Sequence, residues 1–311
     1  MSLTPVTADV GSSRAKRQAL VPQLAQPLRL VKINAATLAA IHLAALLAFV
    51  PWFFSWTGLV VAFLGLYVFG TLGISLCFHR LLAHRSLVCP KWLEHSLAIL
   101  GLCSVQHTPA RWVGIHRRHH EHADEQPDPH RPLAGFLWAH MGWIIYRNRD
   151  LTRLELLSRY SKDIIRDPFY AWLEQNFRWV WIVLISWLCF FASGFFIELL
   201  LRRNVLEAVQ FGFSVLIWGV FVRTVVVWHV TWAINSVTHL WGYRNYETSD
   251  SSRNNVLIGL LSNGEGWHNN HHADPRSARF GRRWWELDAT WLTIRLLFAL
   301  GLARKVVTSR V

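Results

Sequence analysis

The sequence predicts an all-helical integral membrane protein that crosses the bilayer four times. Its 311 residues are 52% hydrophobic and include 18 tryptophans, yet they carry a formal net charge of +13. Soluble domains rarely combine these properties, whereas membrane proteins with several spans and basic cytoplasmic surfaces often do. The basic residues lie between long apolar runs and not along one soluble face, which argues against a nucleic-acid-binding protein.

Four apolar runs are long enough to cross the hydrocarbon core, which takes about 20 residues of helix. They are predicted at residues 35–54, 59–78, 179–201 and 209–233. A tight hairpin at residues 55–58 is expected to join the first two spans. A short link of Arg202, Arg203 and Asn204 is expected to join the last two.

Lysine and arginine placement predicts the orientation of these spans. Residues 1–33 form a basic tail, predicted to be flexible and to include Arg14, Lys16 and Arg17. Residues 34–311 are predicted to form one domain, with a cap built from 79–178 and 234–311. Both termini and this arginine-rich cap are expected to face the cytoplasm.

Two parts of the cap carry more local predictions. Residues 93–102 are apolar but too short to span, which predicts a helix packed against the membrane or against the cap. Residues 151–177 alternate charged and apolar side chains, as an interfacial amphipathic helix would. The four cysteines have no C-x-x-C spacing and are predicted to be small buried hydrophobes, not metal ligands.

Histidine is the strongest signal in the chain, with sixteen residues. Nine of them form an H-x-x-x-x-H motif, two H-x-x-H-H triplets and one position after the fourth predicted span. These nine are His79, His84, His116, His119, His120, His239, His268, His271 and His272. Helix positions i, i+3 and i+4 share a face, so each triplet is expected to aim its three imidazoles at one point. His79 and His84 are five residues apart, which predicts that they straddle a helix end or serve two different metals.

Nine imidazoles exceed what one six-coordinate metal can take, so the pattern predicts two metals. Neutral imidazole suits iron, copper, zinc and nickel. A structural zinc site needs only four ligands and usually recruits cysteine. Dioxygen chemistry at two irons fits both the number of histidines and the membrane setting. Each of the other seven histidines is predicted to be structural. His107 and His229 lie close to the motifs and are the first candidates for an exception.

Four motifs resemble the histidine boxes of the Δ9 fatty acyl desaturases. They are H-R-L-L-A-H-R-S, W-V-G-I-H-R-R-H-H, N-S-V-T-H-L-W-G-Y-R and G-E-G-W-H-N-N-H-H. This family includes the stearoyl-CoA desaturases of animals and yeast and the acyl-lipid desaturases of bacteria and cyanobacteria. The similarity runs from about residue 35 to residue 301, with the boxes in the family's order.

The resemblance implies a fold and a site. The fold is four transmembrane helices under a cytosolic helical cap that holds a non-haem di-iron centre. The nine histidines named above would bind the two irons, and Asn235 would contact one metal through a water. Gln106, Trp112, Thr231 and Trp232 would line the acyl tunnel.

The implied reaction is the dioxygen-dependent formation of a cis double bond in a fatty acyl chain, at Δ9. An unactivated methylene has no acidic proton, so no catalytic residue beyond the metal ligands is expected, and catalysis depends on positioning. Glu121, Asp124 and Glu265 are candidates to orient the imidazoles. Phe63 and Tyr67 are expected to close the far end of the tunnel.

Some alternatives stay open at this point. Gly114 and Ile115 stand where animal stearoyl-CoA desaturases have an Arg–Asp pair that helps hold coenzyme A. The substrate is therefore either an acyl-CoA or a glycerolipid. No cytochrome b5-like extension follows Gly301, so electrons are expected from a separate ferredoxin or cytochrome b5-like protein. The cytoplasmic arginines could dock that donor or bind anionic membrane lipid.

Two rival functions are considered. The nearer rival is a related membrane di-iron hydroxylase or ketolase acting on a lipid. A non-enzymatic metal transporter or sensor is more distant, because it would place polar ligands near the middle of the bilayer.

Overall fold

A computed structural model of the chain describes residues 21–309, and this part of the chain is helical with no β-sheet. Four helices are long and apolar enough to cross a membrane, as predicted. We call them spans 1 to 4, and they are Lys32–Phe49, Trp56–Ala83, Arg178–Arg202 and Val205–Leu240. The predicted fold class is therefore confirmed.

The connection between spans 1 and 2 lies earlier than the hairpin predicted at residues 55–58. Pro51 starts a 3-10 turn just after span 1, because proline has no N–H to continue the helix. The Ser55 hydroxyl then accepts a hydrogen bond from the Gly58 amide at 2.9 Å. A serine at this position caps a helix, so span 2 already begins at Trp56.

Spans 2 and 4 both extend beyond their predicted cap-side ends. From Leu66 to Ala83, span 2 is a π-helix, in which each N–H bonds five residues back. Span 4 continues to Leu240 instead of ending at residue 233. Asn235 and His239 therefore lie on its last turns, so the prediction that His239 follows the span was wrong.

Spans 3 and 4 form a tight antiparallel pair. Span 3 ends at Arg202, and the next residue, Arg203, has left-handed backbone geometry with φ 56°. The Asn204 side chain then caps span 4 by accepting from the Leu206 amide at 3.0 Å. Midway along the pair, a Cβ added to Gly212 would lie 3.0 Å from the Phe191 carbonyl oxygen. A glycine here allows the close approach of two helices that membrane spans commonly use.

The cap is formed by the residues between spans 2 and 3 and those after span 4. Its longer helices are Lys91–Leu102, Pro109–Glu121, Val256–Leu261, His268–Ala273 and Ala289–Ala299. The first of these confirms the helix predicted at residues 93–102. It packs directly on span 2, because a Cβ on Gly73 would lie 2.4 Å from the Gly101 amide nitrogen.

The single amphipathic helix predicted at residues 151–177 was wrong. This stretch contains four short helical segments, Arg153–Glu155, Leu156–Tyr160, Lys162–Ile165 and Pro168–Leu173. Ser161 leaves helical geometry with φ −130° and ψ 26°, and Pro168 starts the last segment. Asp167 caps that segment by accepting from the Phe169 amide at 3.0 Å.

The predicted tail has two parts. Residues 1–20, with Arg14, Lys16 and Arg17, lie outside the described residues. Residues 21–31 pack against the cap instead of extending freely, since the apolar Val21 and Ala25 are buried against Trp138. Two backbone hydrogen bonds also hold this part, including one of 2.7 Å from the Val31 amide to the Ile145 carbonyl.

Candidate metal centre

The nine predicted histidines come together in two groups where spans 2 and 4 enter the cap. The five-histidine group contains His79, His84, His116, His120 and His271. The four-histidine group contains His119, His239, His268 and His272. Within each group, the candidate ligand atoms lie within 4.8 Å of one another.

Each H-x-x-H-H triplet is divided between the two groups, so the expectation that a triplet aims at one point was wrong. In helix Pro109–Glu121, His116 and His120 face the five-histidine group while His119 faces the other. The second triplet is divided in the opposite sense, with only His271 in the five-histidine group. Neighbouring residues of an α-helix point about 100° apart, so the i+3 and i+4 imidazoles can serve two adjacent sites.

His79 and His84 belong to the same group, which favours the helix-end alternative over service to two different metals. They do straddle a helix end, since span 2 ends at Ala83. The π-helical hydrogen bond from the His84 amide to the His79 carbonyl measures 3.0 Å. This bond repeats every five residues and brings the two rings to a centroid distance of 4.8 Å.

The ring nitrogens have the spacing of metal ligands. Nε2 atoms are 2.7 Å apart in His84 and His116, 3.1 Å in His79 and His271, and 3.1 Å in His239 and His268. Ligands at right angles, about 2.0–2.1 Å from a metal, would be about 3 Å apart. The Nε2 atoms of His119 and His272 are buried and have no hydrogen-bond partner among the described residues. Both nitrogens belong to the four-histidine group, and a metal ion there would satisfy them.

Carboxylates lie against the opposite nitrogen of several of these rings. Glu265 contacts His79 Nδ1, and Asp124 Oδ1 lies 3.2 Å from His239 Nδ1. Both acids thus lie where they can orient an imidazole, as the sequence analysis expected. Glu121 does not, because its 43%-exposed side chain pairs with Arg159 on the surface.

Two further carboxylates were missed by the sequence analysis. Asp128 lies 3.0 Å from His119 Nδ1, and Asp250 lies 2.6 Å from His272 Nδ1. A carboxylate at Nδ1 fixes the proton there and leaves the Nε2 lone pair facing the group. Neither acid belongs to a histidine motif. The only sequence signal is that Asp128 follows the first triplet closely.

Burial keeps most of these imidazoles neutral. It lowers the pKa of five of them far below the usual value, namely His84, His116, His120, His268 and His271. Burial also lowers the pKa of His272 to about 4, although Asp250 opposes that shift. Burial also opposes ionisation of His119, but the carboxylates of Asp128, Asp124 and Asp250 together outweigh it and raise the His119 pKa. Neutral rings are the form that binds a metal ion.

Arg80 supports the Glu265 carboxylate and was also missed. Its fully buried guanidinium lies 2.9 Å from Glu265 and 3.0 Å from Asp288. It also donates to the Ala278 carbonyl at 2.7 Å and stacks over the Phe280 ring. Arg80 therefore holds the acid that orients His79.

Two cavities meet beside the five-histidine group. The inner cavity, of about 110 Å³, lies between spans 2 and 4 and has mostly apolar walls, including Leu66, Gly70, Ile74, Val226 and Val230. The outer cavity, of about 340 Å³, lies between the start of span 1, helix Pro109–Glu121 and span 4. Four residues line both, namely Trp112, His116, Thr231 and Asn235.

The structure places the predicted tunnel residues at these cavities. Trp112 and Thr231 lie at the junction, whereas Gln106 and Trp232 line the outer cavity. The Gln106 amide donates to the Thr231 hydroxyl at 3.1 Å. Asn235 lies at the junction too, and shares the inner cavity wall with His268.

The prediction that Phe63 and Tyr67 close the far end of the tunnel was wrong. Phe63 is 65% exposed, and the Tyr67 hydroxyl lies 2.6 Å from the Thr293 hydroxyl. Neither residue lines the inner or the outer cavity. Leu66 and Val226 stand at the end of the inner cavity instead.

Three of the remaining histidines form a hydrogen-bonded chain apart from the two groups. His229 lies 3.1 Å from His42 and 3.0 Å from His140, and His140 lies 3.0 Å from the Ser236 hydroxyl. These contacts support the structural interpretation, including for His229. His107 instead lines the outer cavity.

Comparisons with known proteins show the family to which the chain is similar. A family model described as "Fatty acid desaturase" matches residues 54–304. The chain is 43% identical over 274 residues to the sn-1 stearoyl-lipid 9-desaturase of Anabaena variabilis, covering 88% of this chain and 93% of that protein. It is 39% identical over 292 residues to the sn-2 palmitoyl-lipid 9-desaturase of Nostoc sp. (strain 36), covering 94% and 95%.

A plant relative shows that acyl-CoA enzymes are similar as well. The chain is 38% identical over 274 residues to the icosanoyl-CoA 5-desaturase of Limnanthes douglasii, covering 88% of this chain and 71% of that protein. The family match and these identities extend over most of the chain. The chain therefore belongs to the fatty acid desaturase family and is a fatty acyl desaturase.

Proposed function

We propose that this enzyme forms a cis Δ9 double bond in an acyl chain of a bilayer glycerolipid, using dioxygen and a di-iron centre. The observation that carries the proposal is the position of the two histidine groups. His116 of the five-histidine group lies at the junction of the two cavities, and His79 and His268 line the inner one, where an acyl chain occupying both cavities would pass.

The two groups would hold one iron each. Both offer neutral imidazole nitrogens, a donor type that suits iron. When bound, the irons would supply the oxidising power from dioxygen that breaking an unactivated C–H bond requires. We assign Asn235 as a further donor beside the four-histidine group, through a water, because that group has one imidazole fewer than the other.

The chain's own residues would position the substrate. The apolar walls of the inner cavity exclude water from the tail of the acyl chain. Trp112 and Thr231 hold the middle of the chain at the junction, next to His116. Gln106 fixes the Thr231 side chain through its hydrogen bond. The distance from the junction to the cavity mouth would then decide which carbons react.

Two observations favour a glycerolipid over an acyl-CoA substrate. The two cyanobacterial relatives are named for lipid-bound stearoyl and palmitoyl chains. In this chain, Ile115 lines the outer cavity, and Gly114 packs against Leu156, where an added Cβ would lie 3.1 Å from the Leu156 Cβ. These positions offer coenzyme A no charged side chain.

The arginine distribution supports a cytoplasmic cap. We propose that the termini and both histidine groups face the cytoplasm, following the positive-inside rule. Electrons would come from a separate acidic donor, a ferredoxin or a cytochrome b5-like protein, that docks on the basic cap.

The test is fatty-acid analysis of cells that express the chain together with an electron donor. Double-bond positions are mapped by mass spectrometry, with His120→Ala as the inactive variant and His95→Gln as its control. His95 lies outside both groups and pairs with Asp167. A cis Δ9 monoene that disappears only in His120→Ala is the expected result.

Two outcomes would overturn the proposal. Hydroxylated or oxidised lipids would assign the chain to the hydroxylase or ketolase class. An absence of any product from a folded, iron-loaded protein with a competent donor would remove the assignment altogether.

A further inference from the structure

The outer cavity opens into a positively charged mouth. This opening, of about 380 Å³, shares Ile33, Asn34, His107, Arg111 and Ile115 with the outer cavity, among other residues. Its charged lining residues are Arg111, Arg147 and Arg153, and none of its lining residues is an aspartate or glutamate. We call this opening the arginine mouth.

The mouth is built from three parts of the chain. Arg111 lies on the first turn of helix Pro109–Glu121, five residues and about 7.5 Å of helix rise before His116. Arg147 and Arg153 belong to the cap segment of residues 143–153, which lines another part of the mouth. The start of span 1 is fixed to that segment by a hydrogen bond of 2.8 Å from the Asn34 amide to the Ile144 carbonyl. The arginines are therefore held at the entrance to the acyl cavity.

The positive charge of the three arginines is only partly balanced, by the single Glu174 carboxylate, which acts on both Arg111 and Arg153. Arg153 pairs with Glu174, with 3.4 Å between Nε and Oε2. The guanidinium groups of Arg111 and Arg147 form no hydrogen bond or ion pair within residues 21–309. The Arg111 Nε atom is also buried without a partner, and burial lowers the Arg111 pKa. An unpaired buried charge is costly, and a bound anion would offset that cost.

The mouth also opens where bilayer lipid can enter. Ile33 lines it at the start of span 1 and is 71% exposed. Phe177 lines the outer cavity just before span 3 and is 73% exposed. Exposed apolar side chains at the ends of two spans face the bilayer, whereas a water-soluble thioester would approach from the cap.

We propose that the arginine mouth binds the phosphate of an anionic glycerophospholipid whose acyl chain occupies the outer and inner cavities. This inference rests on the proposed function, because it names the lipid class that the enzyme desaturates. Guanidinium groups bind phosphate oxygens through paired, charge-assisted hydrogen bonds. An uncharged galactolipid would leave both free arginines unpaired.

Binding is measured first, by native mass spectrometry of the purified full-length protein in detergent. The probes are distearoyl phosphatidylglycerol and distearoyl monogalactosyldiacylglycerol at equal concentration. The double variant Arg111→Gln/Arg147→Gln should retain about tenfold less phosphatidylglycerol, as expected for losing hydrogen bonds to a charged group. Its retention of galactolipid should not change. Arg166→Gln, on an exposed part of the cap away from the mouth, is the matched control.

Activity is measured next, in vesicles containing both lipids with an electron donor and, separately, with stearoyl-CoA. Wild type should desaturate the phosphatidylglycerol chains about tenfold faster than the galactolipid chains, and the double variant should lose most of that preference. If the double variant does not fold, Arg147→Gln alone replaces it, since this exposed side chain has no structural contact.

The outcomes separate the two proposals. Equal binding of the two lipids, or a preference unchanged in the variant, would contradict phosphate binding at the arginine mouth. Neither result would count against the proposed desaturase activity. Conversion of stearoyl-CoA alone would assign the mouth to coenzyme A phosphates and overturn the phospholipid. Selective phospholipid binding without any product would support the mouth and count against the proposed function.

Discussion

At the scale of single residues, the carboxylates behind the histidines are as informative as the histidines. Asp128 and Asp250 each contact the Nδ1 atom of a four-histidine-group ring. Such partners fix ring orientation and increase the basicity of the metal-binding nitrogen. They make the groups preorganised sites, not a collection of buried polar side chains.

Asp250→Asn should therefore weaken the four-histidine group selectively. An amide cannot provide the negative charge that holds the His272 Nδ1 proton, so iron retention and activity should fall by about 10- to 100-fold. The measurement is iron per chain together with monoene yield. Glu247→Gln, a fully exposed carboxylate in the same loop, is the control. Iron content and activity within twofold of wild type would show that Asp250 has no such role.

The nine histidines of the two groups could be identified from the sequence because the histidine motifs have distinctive spacing. Their division into groups of five and four could not, since spacing on one helix does not say where a second helix places its own ligands. Arg80 and Asp250 were missed for a related reason. Their roles arise from contacts with residues 185 and 22 positions away in the chain.

At the scale of elements, the end of span 2 determines where the first ligands lie. It is held by Arg117, which donates to the Leu82 and Ala83 carbonyls at 2.8 and 2.9 Å. Arg117 is itself paired with Asp163 at 2.7 Å. These contacts satisfy carbonyls that a helix end leaves free. The ion pair therefore links the helix Pro109–Glu121 and the following cap to the end of the span.

The ion pair between Arg117 and Asp163 predicts that the stability of the fold depends on pH. Burial opposes ionisation of Asp163, but its ion pairs with Arg117 and Arg85 outweigh burial and lower the pKa to about 2. The unfolded value is near 3.8. The stabilisation is therefore complete above about pH 4 and is lost as the pH falls towards 2.

The measurement is the thermal unfolding temperature in detergent across this range. Asp163→Asn should unfold at a lower temperature than wild type at pH 7, and the two should converge as the pH approaches 2. A difference that stays constant with pH would contradict the role given to the ion pair.

Sequence reasoning was least reliable at element ends. The π-helix of span 2 was not predicted, because π-helices are rare and apolar periodicity does not distinguish them from α-helices. The five-residue spacing of His79 and His84 was the available signal. The breaks in residues 151–177 were signalled by Pro168, whereas nothing in the sequence marked Ser161.

At the scale of the whole molecule, the four spans were predictable because the bilayer allows few solutions. An apolar run of about 20 residues must form a helix that satisfies its own backbone. The packing of residues 21–31 on the cap was not predicted, because residues 1–33 are basic as a whole. Within 21–31 the only charged side chain is Arg29, and Val21, Pro22 and Ala25 are buried.

The proposed orientation predicts a labelling pattern. In a Cys189→Ala background, Glu247→Cys lies on the cap and Val205→Cys at the tip joining spans 3 and 4. The other three cysteines are buried. A maleimide that cannot cross membranes should label Val205→Cys in intact cells, and Glu247→Cys only after lysis. The reverse pattern would place the cap outside the cytoplasm.

We proposed that each of the two histidine groups holds one iron. Iron and zinc are measured per chain in the purified, catalytically active protein. Two irons per chain and negligible zinc are expected. One iron per chain, or zinc in place of iron, in a preparation that still forms the double bond would contradict this proposal.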